Sequence, residues 1–314
     1  MAISKFKGLV KFAVSLLMLA LVLTLVDVQT LRQTLLSIPW YIALLAVLGY
    51  STSMAVTSAK WWLLARAGNI IVPYSRALKA VYLGMFANCF GVGTLTGDML
   101  RGVVLAQDRP QKLEAVISVF ADRALGLAML SLVGVIATAT VSGHHLEPLF
   151  VYALCAVALS ILAGWFIGPF IILRIVPKGN KLRAKIEQVI EVFAKDPGTI
   201  VLVCCISVLF HLMQITLQWL IARGININVS LPSMLVTIPF VNILSTLPIS
   251  WNGLGIREHA YILLLAEVFT KEQAVAVGAV WLFGLTVSGL IGGITALFSG
   301  DIKFLWGKKA LQQE

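Results

Sequence analysis

The stretch Asn88-Cys89-Phe90-Gly91-Val92-Gly93-Thr94-Leu95-Thr96-Gly97-Asp98-Met99-Leu100-Arg101 interrupts a run, from about 76 to 107, that is apolar at both ends. Its glycines permit a turn and close backbone approach, whereas Asp98 and Arg101 are expensive at membrane depth unless paired or hydrated. Their spacing of three places them on one face of a helix. Two readings stay open. Backbone N–H groups at the turn and Arg101 hold an anionic group, as helix N-termini do, or Asp98 and Arg101 pair with each other at a membrane edge.

A second interrupted run, from about 233 to 269, carries Asn242-Ile243-Leu244-Ser245-Thr246-Leu247-Pro248-Ile249-Ser250-Trp251-Asn252-Gly253-Leu254-Gly255-Ile256-Arg257-Glu258. Pro248 cannot continue an interior helix without losing a hydrogen bond, and Gly253 and Gly255 open the backbone beside Arg257 and Glu258. Such a segment needs a protein or aqueous cavity. The alternative is an extramembrane loop with Trp251 as an interfacial anchor.

Outward from these breaks the chain is a membrane protein. Of 314 residues 59% are hydrophobic and 12% charged, and the mean hydropathy of +0.95 excludes an ordinary soluble domain. A hydrocarbon core about 30 Å thick needs roughly 20 apolar residues per helix. Continuous spans are predicted at about 8–26, 40–58, 118–141, 149–173, 199–222 and 274–298. The first follows Lys5 and Lys7 like a secretory signal, but Asp27-Val28-Gln29 offers no small-residue cleavage pattern, so an uncleaved helix is expected. The formal charge of +10 does not call for nucleic acid, because the cations flank apolar spans, where the positive-inside rule expects them. Cys89, Cys155, Cys204 and Cys205 lie in apolar stretches without metal-site spacing and read as reduced thiols.

Positive charge orders the topology. Lys5, Lys7 and Lys11, then Lys60, Arg66, Arg76 and Lys79, read as cytoplasmic; His144-His145-Leu146-Glu147, with no Lys or Arg, reads as external; Arg174, Lys178, Lys181, Arg183, Lys185 and Lys195 read as cytoplasmic again. Arg101, Arg109 and Lys112 stay inside if the first broken run enters from the cytoplasm, turns near Gly91 to Gly97 and returns. By the same logic the second enters from outside, turns near Ser250 to Ile256 and returns, leaving Lys303, Lys308 and Lys309 in a cytoplasmic tail. Three full crossings of the second run satisfy the charge rule equally. The expected fold is an all-α integral membrane protein with about six full transmembrane helices and two re-entrant helical hairpins. It forms one transmembrane domain over 1–314, whose halves, 1–142 and 143–300, repeat the order helix, helix, hairpin, helix in inverted orientation, as transporters do. Residues 176–198 read as a cytoplasmic connector, with Ile186, Val189, Ile190 and Phe193 on one helical face, and 299–314 as the tail.

Asp122 and Arg123 begin the span at 118, within reach of the first hairpin; adjacent helical residues face differently, so they seek different partners, Arg101 being one for Asp122. His211 and Gln214 either line a pathway or hydrogen-bond within the packing. His144, His145 and Glu147 read as a polar turn rather than a metal site. The sequence has no nucleotide-binding glycine loop, no supported Ser/His/Asp arrangement and no paired catalytic carboxylates, so neither an enzyme nor a cofactor is expected.

At these residues the chain resembles the flippase-like family related to the transmembrane region of lysylphosphatidylglycerol synthases, over roughly 10–298. The resemblance rests on Asn88 through Gly97-Asp98 and Arg101, with Asp122-Arg123 downstream, and on Asn252-Gly253-Leu254-Gly255-Ile256-Arg257-Glu258. The family often has Glu-Arg in place of Asp122-Arg123 and Pro-Gly-Gly in place of Trp251-Asn252-Gly253. Its synthase members carry a large soluble aminoacylating domain for which these 314 residues leave no room. The resemblance implies translocation of a phospholipid or other anionic-head-group lipid between leaflets, and the membrane expected is a bacterial or archaeal cytoplasmic one, with both termini cytoplasmic by the charge rule. Its head-group residues would be Asn88, Gly93, Gly97, Asp98, Arg101, Asp122, Arg123, Asn242, Trp251, Asn252, Gly253, Gly255, Arg257 and Glu258. Arg101 and Arg257 would contact phosphate; Asp98 and Glu258 would orient these cations or meet an amino group. The competing reading is an accessory protein that docks a lipid-modifying or glycosyl-transferring enzyme on its cytoplasmic face. Membrane lipids are the expected partners, with an enzyme or a second copy of the chain as further candidates.

Overall fold

The computed structural model describes residues 17, 20–90, 94–107, 111–142, 147–180, 183–184, 187, 197–246, 250 and 252–299. Every regular element among them is an α-helix: α1 (Val28–Leu36), α2 (Trp40–Ala67), α3 (Tyr74–Phe90), α4 (Thr94–Leu105), α5 (Lys112–Thr140), α6 (Pro148–Phe166), α7 (Gly168–Ile175), α8 (Pro197–Gly224), α9 (Leu231–Ser245), α10 (Ile256–Leu264) and α11 (Lys271–Ser299). Local sequence sets several starts. Asp27 caps α1 by accepting from Thr30 N at 2.6 Å, and Ser230 caps α9 by accepting from Ser233 N at 3.2 Å. Thr270 and Gln273 cap α11 reciprocally, each side chain accepting from the other's backbone N–H.

Among the described residues, four helices are long and apolar enough to cross a bilayer: Trp40–Ala67, Glu114–Thr140, Pro197–Gly224 and Lys271–Thr295. At about 1.5 Å rise per residue each exceeds the roughly 30 Å of hydrocarbon. A fifth span exists if α6 and α7 are taken together, but the continuous helix expected over 149–173 is bent by 55° at this junction. Pro169 has no N–H to continue the helical ladder, and Gly168 before it adds no side-chain support. Apolar side chains point away from the protein, including Leu149 at 79% and Tyr152 at 72% exposure. Lipid is the solvent that such a surface requires. The expected span 8–26 lies largely outside the described residues, as do most of the 176–198 connector, the 300–314 tail and the His144-His145 turn.

Both interrupted runs fold as two helices joined by a break. In the first, the backbones of α3 and α4 pack so closely that a Cβ on Gly84 would stand 2.8 Å from Gly97 O. Gly97 therefore lies within α4 and serves helix packing; the break expected near Gly91 to Gly97 comes after Phe90 and before Thr94. In the second, α9 ends at Ser245 and α10 starts at Ile256, after a left-handed run of Asn252, Gly253 and Gly255 with φ of 50°, 78° and 81°. Pro239 sits inside α9, fully packed, its Cβ 3.0 Å from where a Cβ on Gly134 of α5 would be.

The packing of the first group, α2–α5, corresponds to that of the second, α8–α11. As α2 packs on α3, so α8 packs on α9; as α4 packs on α5, so α10 packs on α11. Crosswise, α11 lies on α3 as α5 lies on α9, and α2 and α8 meet along the middle. The largest apolar core, with Ile215, Ile221, Met234, Phe240 and Tyr261, lies between α2, α8, α9, α10 and α11. A smaller one, with Trp61, Ile70, Leu105 and Val119, seals α2 to the first hairpin and α5.

Candidate functional site

A charged network is built where α2, α4 and α5 converge. Asp122, buried in α5, bonds Lys60 Nζ at 2.9 Å through Oδ1 and Arg101 Nη2 at 2.9 Å through Oδ2. Arg123, one residue on, turns to Asp98 and grips it in a fork: Nη2 donates to Oδ1 at 2.7 Å and Nε to Oδ2 at 3.0 Å. The two neighbours on α5 thus take different partners, as helical geometry requires. The Asp98–Arg101 contact expected from their spacing is only a loose 3.5 Å approach. Arg101 turns inward instead, onto Asp122 and over the Trp61 ring at 4.9 Å.

Lys60 corrects the sequence reading. It was expected in a cytoplasmic connection after a span ending at 58, yet α2 continues to Ala67 and its side chain is 3% exposed. Burial of a lysine at that depth demands a carboxylate, and Asp122 supplies it. The signal was present in the sequence: the apolar pattern continues past Lys60 through Trp61, Leu63 and Leu64. Next to Lys60, His211 Nε2 bonds Gly126 O at 2.8 Å, and Gln214 donates to Ser53 Oγ at 2.6 Å. His211 and Gln214 are therefore both hydrogen-bonded within the packing.

The second site surrounds the turn before α10. Arg257 donates from Nη1 to Asn242 Oδ1 at 2.9 Å and stacks over the Trp281 ring at 5.3 Å. Both partners are neutral, so the guanidinium keeps its charge available. Arg257 lines a small pocket with Asn252, Gly253, Glu258, Gly278 and Trp281. Glu258 shares this pocket and is held by the backbone: its Oε2 accepts from Gly255 N at 2.7 Å, capping α10, and Oε1 lies so near Gly278 that a Cβ there would be 2.5 Å away. Asn88 likewise acts within its own hairpin, accepting from Gly97 N at 2.9 Å. Gly93 and Trp251 lie outside the described residues.

The two sites are neighbours. Asn252 Nδ2 reaches Cys89 Sγ at 3.7 Å, so the second turn touches the end of α3 in the first hairpin. Tyr50 of α2 packs edge-on against Trp281 and lies within electrostatic range of both Arg123 and Arg257. Below it a buried polar chain joins α10, α8 and α2: Tyr261 donates to Gln218 Oε1, Gln218 to Gln214 O, and Gln214 to Ser53. Lys60, Trp61, Tyr50 and Trp281 are site residues that the sequence reading missed. The two tryptophans and the tyrosine carry no local signal, because an aromatic in an apolar span looks the same whether it faces a guanidinium or a leucine.

Chemically, these sites present guanidinium groups at the surface and in a pocket, backed by buried carboxylates. They suit the binding of an anion through charge-assisted hydrogen bonds. Among the described residues no group of three or more His, Cys, Asp or Glu side chains could hold a metal ion. Among known families, residues 8–293 match the model described as Lysylphosphatidylglycerol synthase TM region. No curated protein matches the chain in sequence.

Proposed function

Because the chain belongs to the Lysylphosphatidylglycerol synthase TM region family, we propose that it moves a phospholipid, or another lipid with an anionic head group, between the two leaflets of its membrane. The family ties the chain to membrane lipids, and its long apolar helices make it an integral membrane protein. The reading is carried by Arg257, held by neutral partners in a pocket at the turn where the second hairpin touches the first. A half-buried guanidinium that no carboxylate among the described residues hydrogen-bonds is suited to receive a phosphate.

In this proposal both hairpins are re-entrant. Helices α4 and α10 have 12 and 9 residues, about 18 and 14 Å of rise, short of a full crossing. The halves 1–142 and 143–300 are inverted repeats, supported by their corresponding packing. Six full crossings, counting 8–26 and a bent α6–α7 span, leave both termini in the cytoplasm of a bacterium or archaeon. The head group passes along Arg123, Tyr50 and Arg257 while acyl chains stay in lipid. The chain alters no covalent bond, and the driving force is the lipid gradient or a coupled ion.

The test is reconstitution of the full chain in liposomes containing head-group-labelled lipids, with leaflet exchange followed by a membrane-impermeant quencher. We expect exchange above protein-free liposomes and its reduction by at least tenfold in Arg257→Ala. Equal exchange with and without protein across a broad lipid panel would sink the translocator reading and favour the accessory one.

A further inference from the structure

Three cations, Lys60, Arg101 and Arg123, share two carboxylates, Asp98 and Asp122, so the network where α2, α4 and α5 meet carries one surplus positive charge. Asp122 has both oxygens committed, one to Lys60 and one to Arg101, deep in the protein. Asp98 and Arg123 differ. The Asp98 side chain is 15% exposed and that of Arg123 is 56% exposed, so their two-bond fork is reached from the Arg123 side. Beside it, Arg101 Nε has no hydrogen-bond acceptor among the described residues although its side chain is only 7% exposed, and Asp98 Oδ1 stands off at 3.5 Å. A surplus charge, an unused buried donor and an accessible guanidinium fork converge on one place. All three are met by a second anionic oxygen group.

We propose that Asp98 is an internal competitor for an anion: its carboxylate occupies the Arg123 fork, and a phosphate monoanion displaces it there, bonding Arg123 and the free Nε–H of Arg101. The geometry of two parallel N–H donors serves a carboxylate and a phosphate alike, which is why one substitutes for the other. Displacing Asp98 also releases the ionic link between α4 and α5, so anion binding and loosening of the first hairpin are one event. The surplus charge from Lys60 makes the exchange favourable for a monoanion. The inference rests on the lipid-translocation reading only for the source of the phosphate, a lipid head group rather than a free ion.

Binding is measured on the full chain in detergent, with head-group-labelled phosphatidylglycerol in mixed micelles as probe and inorganic phosphate as competitor. Asp98→Asn removes the competitor without changing shape, and we expect it to bind the labelled lipid several-fold more tightly than wild type. Arg123→Gln should lose most binding, and the double variant should resemble Arg123→Gln. Glu147→Gln, the same charge change at an exposed helix end, should reproduce none of the gain. Displacement of the probe by inorganic phosphate identifies the phosphate group alone as the ligand, and failure to displace it identifies the lipid ester; both keep the anion site. The proposal is overturned if Asp98→Asn binds no tighter than wild type, if the double variant retains the gain, or if Glu147→Gln shares it. Tighter binding by Asp98→Asn together with no leaflet exchange by wild type would overturn translocation and leave the anion site standing.

Discussion

At the scale of single residues, Asp122 and Arg123 are adjacent in sequence and opposite in consequence. Asp122 neutralises two buried cations, and removing its charge strands both in low dielectric. We expect Asp122→Asn to destabilise the protein by about 3–5 kcal/mol, the range for breaking a buried ion pair from one side. Arg123→Gln, at a side chain 56% exposed, should cost no more than about 1 kcal/mol. Thermal unfolding of the two variants in detergent separates them; equal losses would mean that both pairs are equally buried. The pairing of Asp122 with Arg101 was legible, because helical spacing forbids Asp122 and Arg123 a common partner. Lys60 was not, because a lysine near a span's end normally reports the membrane boundary. Only the third dimension shows that it turns back to Asp122. The cap made by Glu258 was not legible for another reason: an acidic residue in the first turn of a helix either caps it or serves a ligand, and sequence alone does not tell the two apart.

At the scale of elements, the glycines revealed that the chain breaks but not which of them makes the turn. Gly91 to Gly97 reads as one flexible stretch, yet Gly97 lies inside α4 with α3 pressed against it. A Cβ on Gly97 would fall 2.4 Å from Asn88 Oδ1, and the Gly84 carbonyl lies closer still. No side-chain rotation relieves a clash with backbone, so the hairpin arms must part. We expect Gly97→Leu to abolish a folded, monodisperse protein on size-exclusion chromatography, whereas Met99→Leu, on the outward face with Met99 59% exposed, should leave elution unchanged. Normal elution of Gly97→Leu would show that the arms tolerate separation. The bend between α6 and α7 was similarly hidden. Gly168-Pro169 lies within an unbroken apolar run, and hydropathy registers composition without backbone donors.

At the scale of the whole molecule, the membrane class was fixed by composition, but the correspondence between its halves was not, because the hairpins share too few residue identities. What repeats is the packing order, a property of helix lengths and small residues at crossings rather than of particular side chains. That order makes a labelling pattern the sharpest test of the architecture. On a background with all four cysteines replaced, single cysteines belong at Ser75, Gln107, Ser142, Lys178, Asn228 and Ala266, all at helix ends or connections and open or half-open. If each broken run returns to the side from which it came, an impermeant thiol reagent should label Ser75→Cys and Gln107→Cys from one side. Ser142→Cys should react from the other, Lys178→Cys from the first again, and Asn228→Cys and Ala266→Cys together from the side of Ser142. The hairpins are the discriminating pairs. Opposite labelling at 75 and 107 would make α3 and α4 a broken crossing, and opposite labelling at 228 and 266 would do the same for α9 and α10. Either result alone would break the inverted correspondence: the first would give half 1–142 an even number of crossings, so that both halves start from one side, and the second would leave the two halves with unequal numbers of crossings.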